Sequence, residues 1–311
     1  MAMTLVQMRA EFPNDPMRMR LVDKFLDGSE SVVLPELSFV DATDALGYNF
    51  VTDDDGGDVA ERSLNDEYAA SNPVSSPKTE KLTLFGGSVK TDAVQIDAKG
   101  DVARLNQIDR RMKRMGKYFD KVFFHGQEVG TNVQRAKQFA GLRKRSVAKG
   151  RVLWAGANGG PLTMDLLDEA QDLLSGENGR KVIFCTRWMR RKITNLLRTA
   201  AAGKGIAETN EQQTNYNGSR IKTVTEDDKR SPIFAFDETR GSSNVTQSLY
   251  IVRFGGSDDG DDLQAIRGPS FMKQRAPVNM GEYVKDVIDN VMGIVDFSPH
   301  CFIRIGGITE A

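Results

Sequence analysis

The pattern of apolar residues predicts a long amphipathic helix in the first half of the chain. Between Asp101 and Phe124, apolar side chains recur at alternating spacings of three and four, which places them on one face of a helix. That face carries Leu105, Ile108, Met112, Met115, Phe119 and Val122. The opposite face carries Arg104, Arg110, Arg111, Lys113, Arg114 and Lys117. Such a helix, about 35 Å long, suits a protein that contacts neighbouring molecules; a buried helix of an ordinary globular domain is the alternative.

Residues 41–97 predict an extended hairpin before this helix. The first strand is predicted over Tyr48–Val51 and a returning strand over Leu82–Ile96. Between them lie the sequence TDDDGG and a segment rich in Ser and Pro, which favour turns and irregular structure. A connection of this length without its own core is uncommon inside a compact domain, so we expect it to be disordered or to rest on another molecule.

The remaining sequence predicts an N-terminal arm followed by mixed helices and strands. Residues 1–40 contain prolines and one short helix, Met17–Leu26, so this arm should become ordered by lying on another surface. Helices are predicted over Leu162–Leu174, with Thr163 as N-cap, and over Arg187–Ala201. Strands are predicted over Val152–Trp154, Lys181–Cys185, Ile221–Val224, Ile233–Phe236, Leu249–Phe254 and within Val284–Ile305.

Charge is balanced over the whole chain but segregated along it. The formal net charge is −1. Residues 41–92 contain eleven acids and four bases, whereas residues 93–154 contain fifteen bases and five acids. This contrast favours complementary contact between subunits or a face turned towards a polyanion; charges that are merely solvated are the alternative.

Little in the sequence indicates catalysis, metal binding or a membrane. The chain has two histidines and lacks GxSxG, HExxH, paired CxxC and GxxxxGK[ST] motifs, so we predict no enzyme, cofactor or metal. Cys185 and Cys301 lie in apolar runs and are interpreted as reduced core residues of an intracellular protein. No apolar run approaches the ~20 residues that span a bilayer, and no signal-peptide pattern begins the chain.

The order of these parts resembles the HK97-like major capsid proteins of tailed double-stranded DNA bacteriophages. Three stretches carry the detailed likeness: the helix exit Phe123–Gly126, the strand and basic helix over Lys181–Arg198, and the apolar strand Ser248–Gly255 with the closing segment Gly293–Ile308. The resemblance implies an α+β, HK97-like capsid fold. Its parts would be an N-terminal arm (1–40), an E-loop (41–97), a peripheral domain with the spine helix (98–158), an axial domain (159–272) and a return to the peripheral domain (273–311).

The same resemblance implies a structural function. The chain would be a major capsid protein that self-assembles into pentamers and hexamers of an icosahedral phage head enclosing double-stranded DNA. It would be located in the virion and assembled in the host cytoplasm. An encapsulin-type nanocompartment shell protein is the alternative, followed by an uncharacterised α/β enzyme.

The implied partners are other copies of the chain, a portal and a separate scaffolding protein, since we find no room here for the scaffold-like segment of some relatives. A cement or decoration protein is compatible with this, and packaged DNA would be contacted without sequence specificity. Subunit cross-linking of the type protein's kind is not predicted, because no motif ties Lys78, Lys81 and Lys90 of the hairpin to Asn279 or Asn290.

Three groups of residues are candidates for contact between subunits. The apolar residues Leu82, Leu84 and Phe85 are expected to rest on an adjacent subunit. The cations Arg110, Arg111 and Arg114 would hold a neighbour's acidic hairpin or meet packaged phosphates without reading bases. The cations Arg187, Arg190 and Arg191 would pair with an exposed acidic turn of a neighbour, Asp258, Asp259, Asp261 and Asp262.

Overall fold

The computed structural model describes residues 3–4, 7, 15–26, 30–43, 47–55, 61–64, 67, 74–127, 138–174, 180–202, 214–255, 262–298 and 300–310. The helices in this part of the chain are α1 (Pro16–Leu26), α2 (Ala93–Lys99), α3 (Asp101–His125), α4 (Leu142–Ala148), α5 (Met164–Asp172) and α6 (Arg187–Ala202), with a 3-10 turn at Leu34–Glu36. The strands are β1 (Met3–Thr4), β2 (Ser38–Asp41), β3 (Gly47–Asp55), β4 (Val74–Lys81), β5 (Thr83–Asp92), β6 (Val152–Trp154), β7 (Arg180–Cys185), β8 (Asn215–Tyr216), β9 (Ser219–Thr223), β10 (Glu238–Arg240), β11 (Ser243–Phe254), β12 (Leu263–Arg267), β13 (Lys273–Gln274), β14 (Val278–Asn279), β15 (Tyr283–Asp296) and β16 (Phe302–Ile308). This mixture confirms the predicted α+β class.

The long helix α3 confirms the prediction made from its apolar stripe. The stripe residues that are buried are Ile108, Met112, Met115, Phe119 and Val122. The helix ends at Gly126, where a Cβ atom would lie 2.4 Å from the carbonyl oxygen of Phe139. Glycine is needed at this position because the returning backbone passes directly over the helix end.

Most strands of the described residues belong to one mixed sheet. Its main order is β1-β2-β12-β11-β7-β9-β8, while β16 pairs antiparallel with β11 and parallel with β6. The long strand β15 pairs with β12 at one end and then with β5 over ten residue pairs, from Met292 opposite Thr83 to Tyr283 opposite Asp92. Among the strands of the described residues, β3 and β4 lie outside this sheet, as a separate antiparallel pair.

The central strand β11 separates two hydrophobic cores, because alternate side chains of a strand point to opposite faces. Tyr250, Val252 and Phe254 join the larger core beneath α3. Leu249 and Ile251 join the second core, which α5 and α6 cover. Both cores therefore depend on the same strand.

The described part of the N-terminal arm lies on the chain's own helix α3. The side chains that α1 buries are Leu21, Val22 and Phe25. After α1, the buried carboxylate of Asp120 accepts hydrogen bonds from the Ser31 hydroxyl and, at 2.9 Å, from the backbone N–H of Val32. This clamp ties the arm to the C-terminal part of α3.

Two predicted strands are wrong. The segment Leu82–Ile96 does contain a strand, β5, but that strand belongs to the large sheet and the chain then turns into α2. The strand that returns along the hairpin is β4, over Val74–Lys81, most of which was predicted to be irregular. Asp92 begins that helix as its N-cap, accepting a hydrogen bond from the N–H of Val94. The segment Ile233–Phe236 is irregular, since Ile233 and Phe234 are buried in the core as part of a bend. The paired strands of the hairpin end at Lys81.

Candidate interaction surfaces

The hairpin of β3 and β4 projects as a two-stranded arm. Its register runs from Gly47 opposite Lys81 to Asp55 opposite Val74. A nine-residue strand spans about 30 Å, and Val51 midway along it is exposed. Leu64, in the connection between the strands, is 92% exposed. A two-stranded hairpin is marginally stable in water by itself, so the arm depends on its base.

Aromatic packing fixes one side of that base. Tyr48 and Phe50 of β3 meet Phe297 edge to face, with ring centroids 6.1 and 5.6 Å apart respectively. Leu82 lies beneath them and packs with Val291 of β15. These contacts join the start of the hairpin to the large sheet.

A buried ionic cluster fixes the other side. Arg145 of α4 donates to both carboxylate oxygens of Glu80, at 2.7 and 2.8 Å, and to Asp296 at 2.5 Å. Lys149 also contacts Asp296, at 2.6 Å. Burial lowers the pKa of Arg145, but the carboxylates of Asp296 and Glu80 outweigh it and hold the pKa above its ordinary value. The hairpin is therefore tied to α4 and β15 through one arginine.

The three apolar contact candidates have separate environments. Leu82 is 3% exposed and buried in its own chain, so the expectation that it rests on an adjacent subunit is wrong. Phe85 is half-buried against Tyr118 and Phe119 of α3. Leu84 is exposed, because neighbouring residues of a strand point to opposite faces. Of the three, Leu84 is the one with substantial free surface.

The predicted arginines of α3 lie together in an open cleft of about 820 Å³, which we call the spine cleft. Its cations are Lys90, Arg110, Arg111, Lys113, Arg114, Lys117 and Arg230. Its acids are Glu30, Glu226, Asp227 and Asp228. The fold thus adds a lysine of β5 and an arginine of the loop after β9 to the cations of the helix, and the cleft remains basic.

Two cations on the polar face of α3 are committed to partners within the chain. Arg104 donates to both oxygens of the buried Asp286, at 2.7 and 2.8 Å. Lys117 pairs with Glu226 at 2.9 Å and with Glu30 at 3.1 Å, and the hydrogen bond to Glu226 is the largest cause of its raised pKa. These two residues are consequently not free for an external ligand.

The arginines at the centre of the cleft are differently placed. Arg110 and Arg114 form no ion pair with another described residue. The guanidinium of Arg111 lies against β5, where a Cβ atom on Gly87 would be only 2.0 Å from its Nε. The glycine therefore permits this close approach. The arginines meet no matching carboxylates within the described chain.

The third candidate group is divided by the structure. Arg187, Arg190 and Arg191 lie together in the first turns of α6, beside Thr223. Asp262 is buried and pairs with Arg253 at 2.6 Å, so its predicted place on an exposed acidic turn is wrong. The remaining acids of that turn, Asp258, Asp259 and Asp261, lie outside the described residues.

A second basic surface was missed by the sequence analysis. We call it the Trp154 pocket; it has a volume of about 470 Å³ and is lined by Arg143, Lys144, Val147, Trp154, Glu238 and Arg304, among others. The guanidinium of Arg240 stacks on the indole of Trp154, 3.9 Å from the ring centroid. The backbone at Gly306 also packs on this ring, since a Cβ atom there would be 2.9 Å from it. The sequence signal was a tryptophan ending a short strand beside a basic helix.

The acidic side chain of this pocket, Glu238, is paired within the chain. Glu238 accepts a hydrogen bond from Arg304 at 2.8 Å and another from the Ser248 hydroxyl. Arg143 lies 3.7 Å from its second oxygen. With Lys144 and Arg240 nearby, the pocket keeps a positive charge beside exposed apolar surface.

The described residues contain no group of three or more His, Cys, Asp or Glu side chains placed to hold a metal ion. No helix among them combines the length and apolar character needed to cross a membrane. Cys185 and Cys301 are both buried and unpaired, as predicted, and burial raises the pKa of Cys185 to about 12.

No family model matches the sequence, and no curated protein matches it. Solved structures do match. A chain of the holo-SrpI encapsulin complex from Synechococcus elongatus is similar with a TM-score of 0.61 at 12% identity, covering 88% of this chain and 86% of that chain. A chain of Microbacterium phage Oxtober96 has a TM-score of 0.59 at 14% identity, covering 90% of both chains. A chain from the capsid of an empty GTA particle has a TM-score of 0.59 at 12% identity, also covering 90% of both. The chain therefore has the HK97-like fold of capsid and encapsulin shell proteins.

Proposed function

We propose that this chain is a major capsid protein of a tailed double-stranded DNA phage, assembling into the pentamers and hexamers of an icosahedral head. The observation that carries the proposal is the extent of the fold likeness: the match to the chain from the capsid of the empty GTA particle covers 90% of both chains. A shell subunit also explains a projecting hairpin whose strands pair only with each other over most of their length.

The spine cleft is proposed to meet packaged DNA. Its central arginines lack carboxylate partners in the described chain, and phosphates need only charge and hydrogen-bond donors. The contact would be weak and independent of sequence, in keeping with a subunit whose overall charge is −1. A portal, a separate scaffolding protein and assembly in the host cytoplasm before incorporation into the virion belong to the same proposal.

An encapsulin-type shell is the second candidate, favoured by the likeness to the Synechococcus elongatus encapsulin. The two functions differ in what the particle encloses. Purified particles that contain DNA, or a gene neighbourhood with a portal and a terminase, support the phage capsid. Particles that contain a protein cargo support the encapsulin.

The proposal is tested by expressing the chain, with its scaffolding protein if one is encoded nearby, and imaging the product. We expect closed icosahedral shells of megadalton mass. A matched variant that lacks residues 56–77 should fold but assemble poorly, because it loses most of the projecting hairpin. A monodisperse monomer or dimer of the unaltered chain, with scaffold supplied, contradicts the proposal.

A further inference from the structure

Helix α6 begins at a basic cavity of the second core region. The cavity has a volume of about 580 Å³ and is lined by Arg187, Arg190, Arg191 and Thr223; we call it the α6 cavity. Arg187 and Arg191 are exposed, and neither forms an ion pair with another described residue. The first turn of the helix contains no acidic residue. Three guanidinium groups therefore border one space, with no carboxylate among the described residues that line it.

The fold builds this cavity where two parallel strands end. β7 and β9 are parallel neighbours, with Cys185 opposite Thr223 at their carboxyl ends. One residue, Thr186, separates β7 from α6, and its hydroxyl accepts a hydrogen bond from the N–H of Met189 at 3.2 Å. The crevice outside the carboxyl ends of parallel strands is a recurrent place for ligands in sheets covered by helices. The topology therefore brings the arginines of α6 to Thr223 of the neighbouring strand.

The arginines are unfavourably placed in the absence of an anion. The N-terminus of a helix carries partial positive charge, which disfavours cations in the first turn. Arg187 precedes Arg190 by three residues and Arg191 by four, and these are the spacings at which like charges on a helix repel. Arg187 and Arg191 have no carboxylate in the described chain to offset this repulsion. Such a violation of a local rule of helix stability is typical of functional sites.

We propose that the α6 cavity binds a soluble oligophosphate, an anion with two or more linked phosphate groups. Planar guanidinium groups donate paired hydrogen bonds to phosphate oxygens, and a threonine hydroxyl is a further donor. The volume of about 580 Å³ lies within the range of pockets that hold small ligands. The proposal concerns the single subunit and does not depend on the shell function.

Two other anions fit the cavity less well. The backbone of DNA suits cations that are spread along a surface, as in the spine cleft, where they come from successive turns of α3 and from two other elements. The cations of the α6 cavity come from two adjacent turns around one recess. A carboxylate of a neighbouring subunit has two oxygens, which in the paired geometry satisfy one guanidinium. Three guanidinium groups match the larger number of oxygens in an oligophosphate.

Thermal unfolding of the purified, unassembled chain tests the site, with sodium tripolyphosphate as the probe. The melting temperature should rise with probe concentration, since a ligand that binds only the folded state stabilises it. In Arg187→Gln/Arg191→Gln, the concentration that gives half of this rise should increase by about tenfold. Without the probe, this double variant should melt no lower than the unaltered chain, because it relieves repulsion between like charges. A lower melting temperature without the probe, together with an unchanged probe response, overturns the proposal.

A charge-matched control lies on the same helix. The ammonium group of Lys192 lies over the ring of Trp188, 5.7 Å from its centroid, and does not line the cavity. Lys192→Gln should leave the response to the probe unchanged, whereas Arg191→Gln should weaken it. Arg191→Lys keeps the charge but loses the paired donors, so its response should be intermediate. Equal effects of Arg191→Gln and Lys192→Gln would show that the probe responds to overall charge alone, and would overturn the proposal.

The spine cleft is also basic and requires a second control. Arg110→Gln/Arg114→Gln removes two charges there and should leave the response of the α6 cavity in place. If this variant loses the response and Arg187→Gln/Arg191→Gln keeps it, the probe binds in the spine cleft and the proposal is wrong.

Two further probes distinguish the source of the phosphate groups. A nucleoside triphosphate should raise the melting temperature as tripolyphosphate does, because the cavity needs phosphate and no base. A DNA strand of about ten nucleotides, at equal phosphate concentration, should raise it less. Stabilisation by DNA alone, lost in Arg187→Gln/Arg191→Gln, would make the cavity a nucleic-acid contact and overturn the oligophosphate. Because all these measurements use the unassembled chain, their failure leaves the proposed shell function intact, and a chain that forms no shells leaves them unaffected.

Discussion

The two basic surfaces of this molecule differ in how their cations are supplied and in what lies beside them. In the spine cleft, Arg110, Arg111 and Arg114 come from successive turns of one helix, and the walls are polar. In the Trp154 pocket the cations come from α4, β10 and β16, and they surround an apolar lip. Charge alone suits a flexible polyanion, whereas charge around an apolar lip suits a shaped protein segment. Similar charge therefore does not imply a similar partner.

The largest effect on stability is expected from replacing Arg145. This residue fixes α4, which lines the Trp154 pocket, and it is not among the residues that line the spine cleft. Arg145→Ala leaves the carboxylates of Glu80 and Asp296 without their buried partner, so unfolding free energy should fall by about 3–5 kcal/mol. Hydrogen exchange should rise in the hairpin and α4 and remain low in the middle of α3. Lys144→Ala, on the exposed side of the same helix, is the control and should change stability by less than about 0.5 kcal/mol. An equal increase of hydrogen exchange in α3 and in the hairpin would contradict the prediction that Arg145 stabilises the hairpin and α4 alone.

A change of pH should act on the clamp between the N-terminal arm and α3, through the carboxyl group of Asp120. Burial raises the pKa of Asp120 to about 7, despite the hydrogen bonds from Ser31 and Val32 that favour the carboxylate. Because the folded pKa is above that of an unfolded aspartate, the folded chain binds this proton more tightly. Stability is then greatest below the unfolded pKa and is lost as pH rises through about 7, by roughly 1–4 kcal/mol.

The measurement is chemical unfolding at pH 5 and pH 8, together with hydrogen exchange at residues 31–33. Asp120→Asn keeps an acceptor for the Val32 N–H and removes the titration. It should remove the loss of stability at alkaline pH and leave the loss at acidic pH that comes from His125, whose pKa is lowered by burial. An identical pH dependence in the variant and the unaltered chain would assign the effect to another group.

Replacing Arg110, Arg111 and Arg114 with Gln tests whether the spine cleft contacts DNA or a neighbouring subunit. If they contact phosphates, the plot of log binding constant for double-stranded DNA against log salt concentration should become less steep, its slope changing by about 2–3. Empty shells should form normally. Filled particles should lose stability. A block in empty-shell assembly would instead show that these arginines hold a neighbour, as the sequence analysis also allowed.

The smallest effect is expected at Gly87. Gly87→Ala places a methyl group on the guanidinium of Arg111, which is flexible enough to move away. Stability should change by less than about 1 kcal/mol, and DNA affinity should fall less than it does in Arg111→Gln. The comparison of these two variants in one binding assay measures how much the position of Arg111 contributes beyond its charge.

The elements that could be predicted are those whose pattern of apolar and capping residues is set by neighbours in sequence. The stripe of α3, the N-cap Thr163 of α5 and the buried strand β7 need only neighbouring residues to specify them. Leu82 could not be placed, because its burial depends on β15, some two hundred residues later in the chain. Asp262 was misplaced because its burial comes from the ion pair with Arg253 of β11, a tertiary contact that a run of acidic residues in the sequence does not show.

The interaction surfaces show the same limit. The arginines of the spine cleft were visible as a run on one helix face, but the pairing of Arg104 with Asp286 was not. The Trp154 pocket was missed, because Arg143, Glu238 and Arg304 are far apart in sequence and only the tryptophan beside a basic helix hinted at it. Whether a charge is solvated or paired depends on tertiary contacts, and spacing along the chain does not report them.

The parallel pairing of β6 with β16 has a consequence for the order of events during synthesis. The ribosome releases the hairpin, residues 47–81, early, whereas Arg304 and Gly306 of the Trp154 pocket belong to β16. β2 likewise waits for β12 before its place in the sheet is complete. A nascent chain therefore contains the hairpin long before its Trp154 pocket and its large sheet are complete. Translation itself would delay assembly until each subunit is nearly finished.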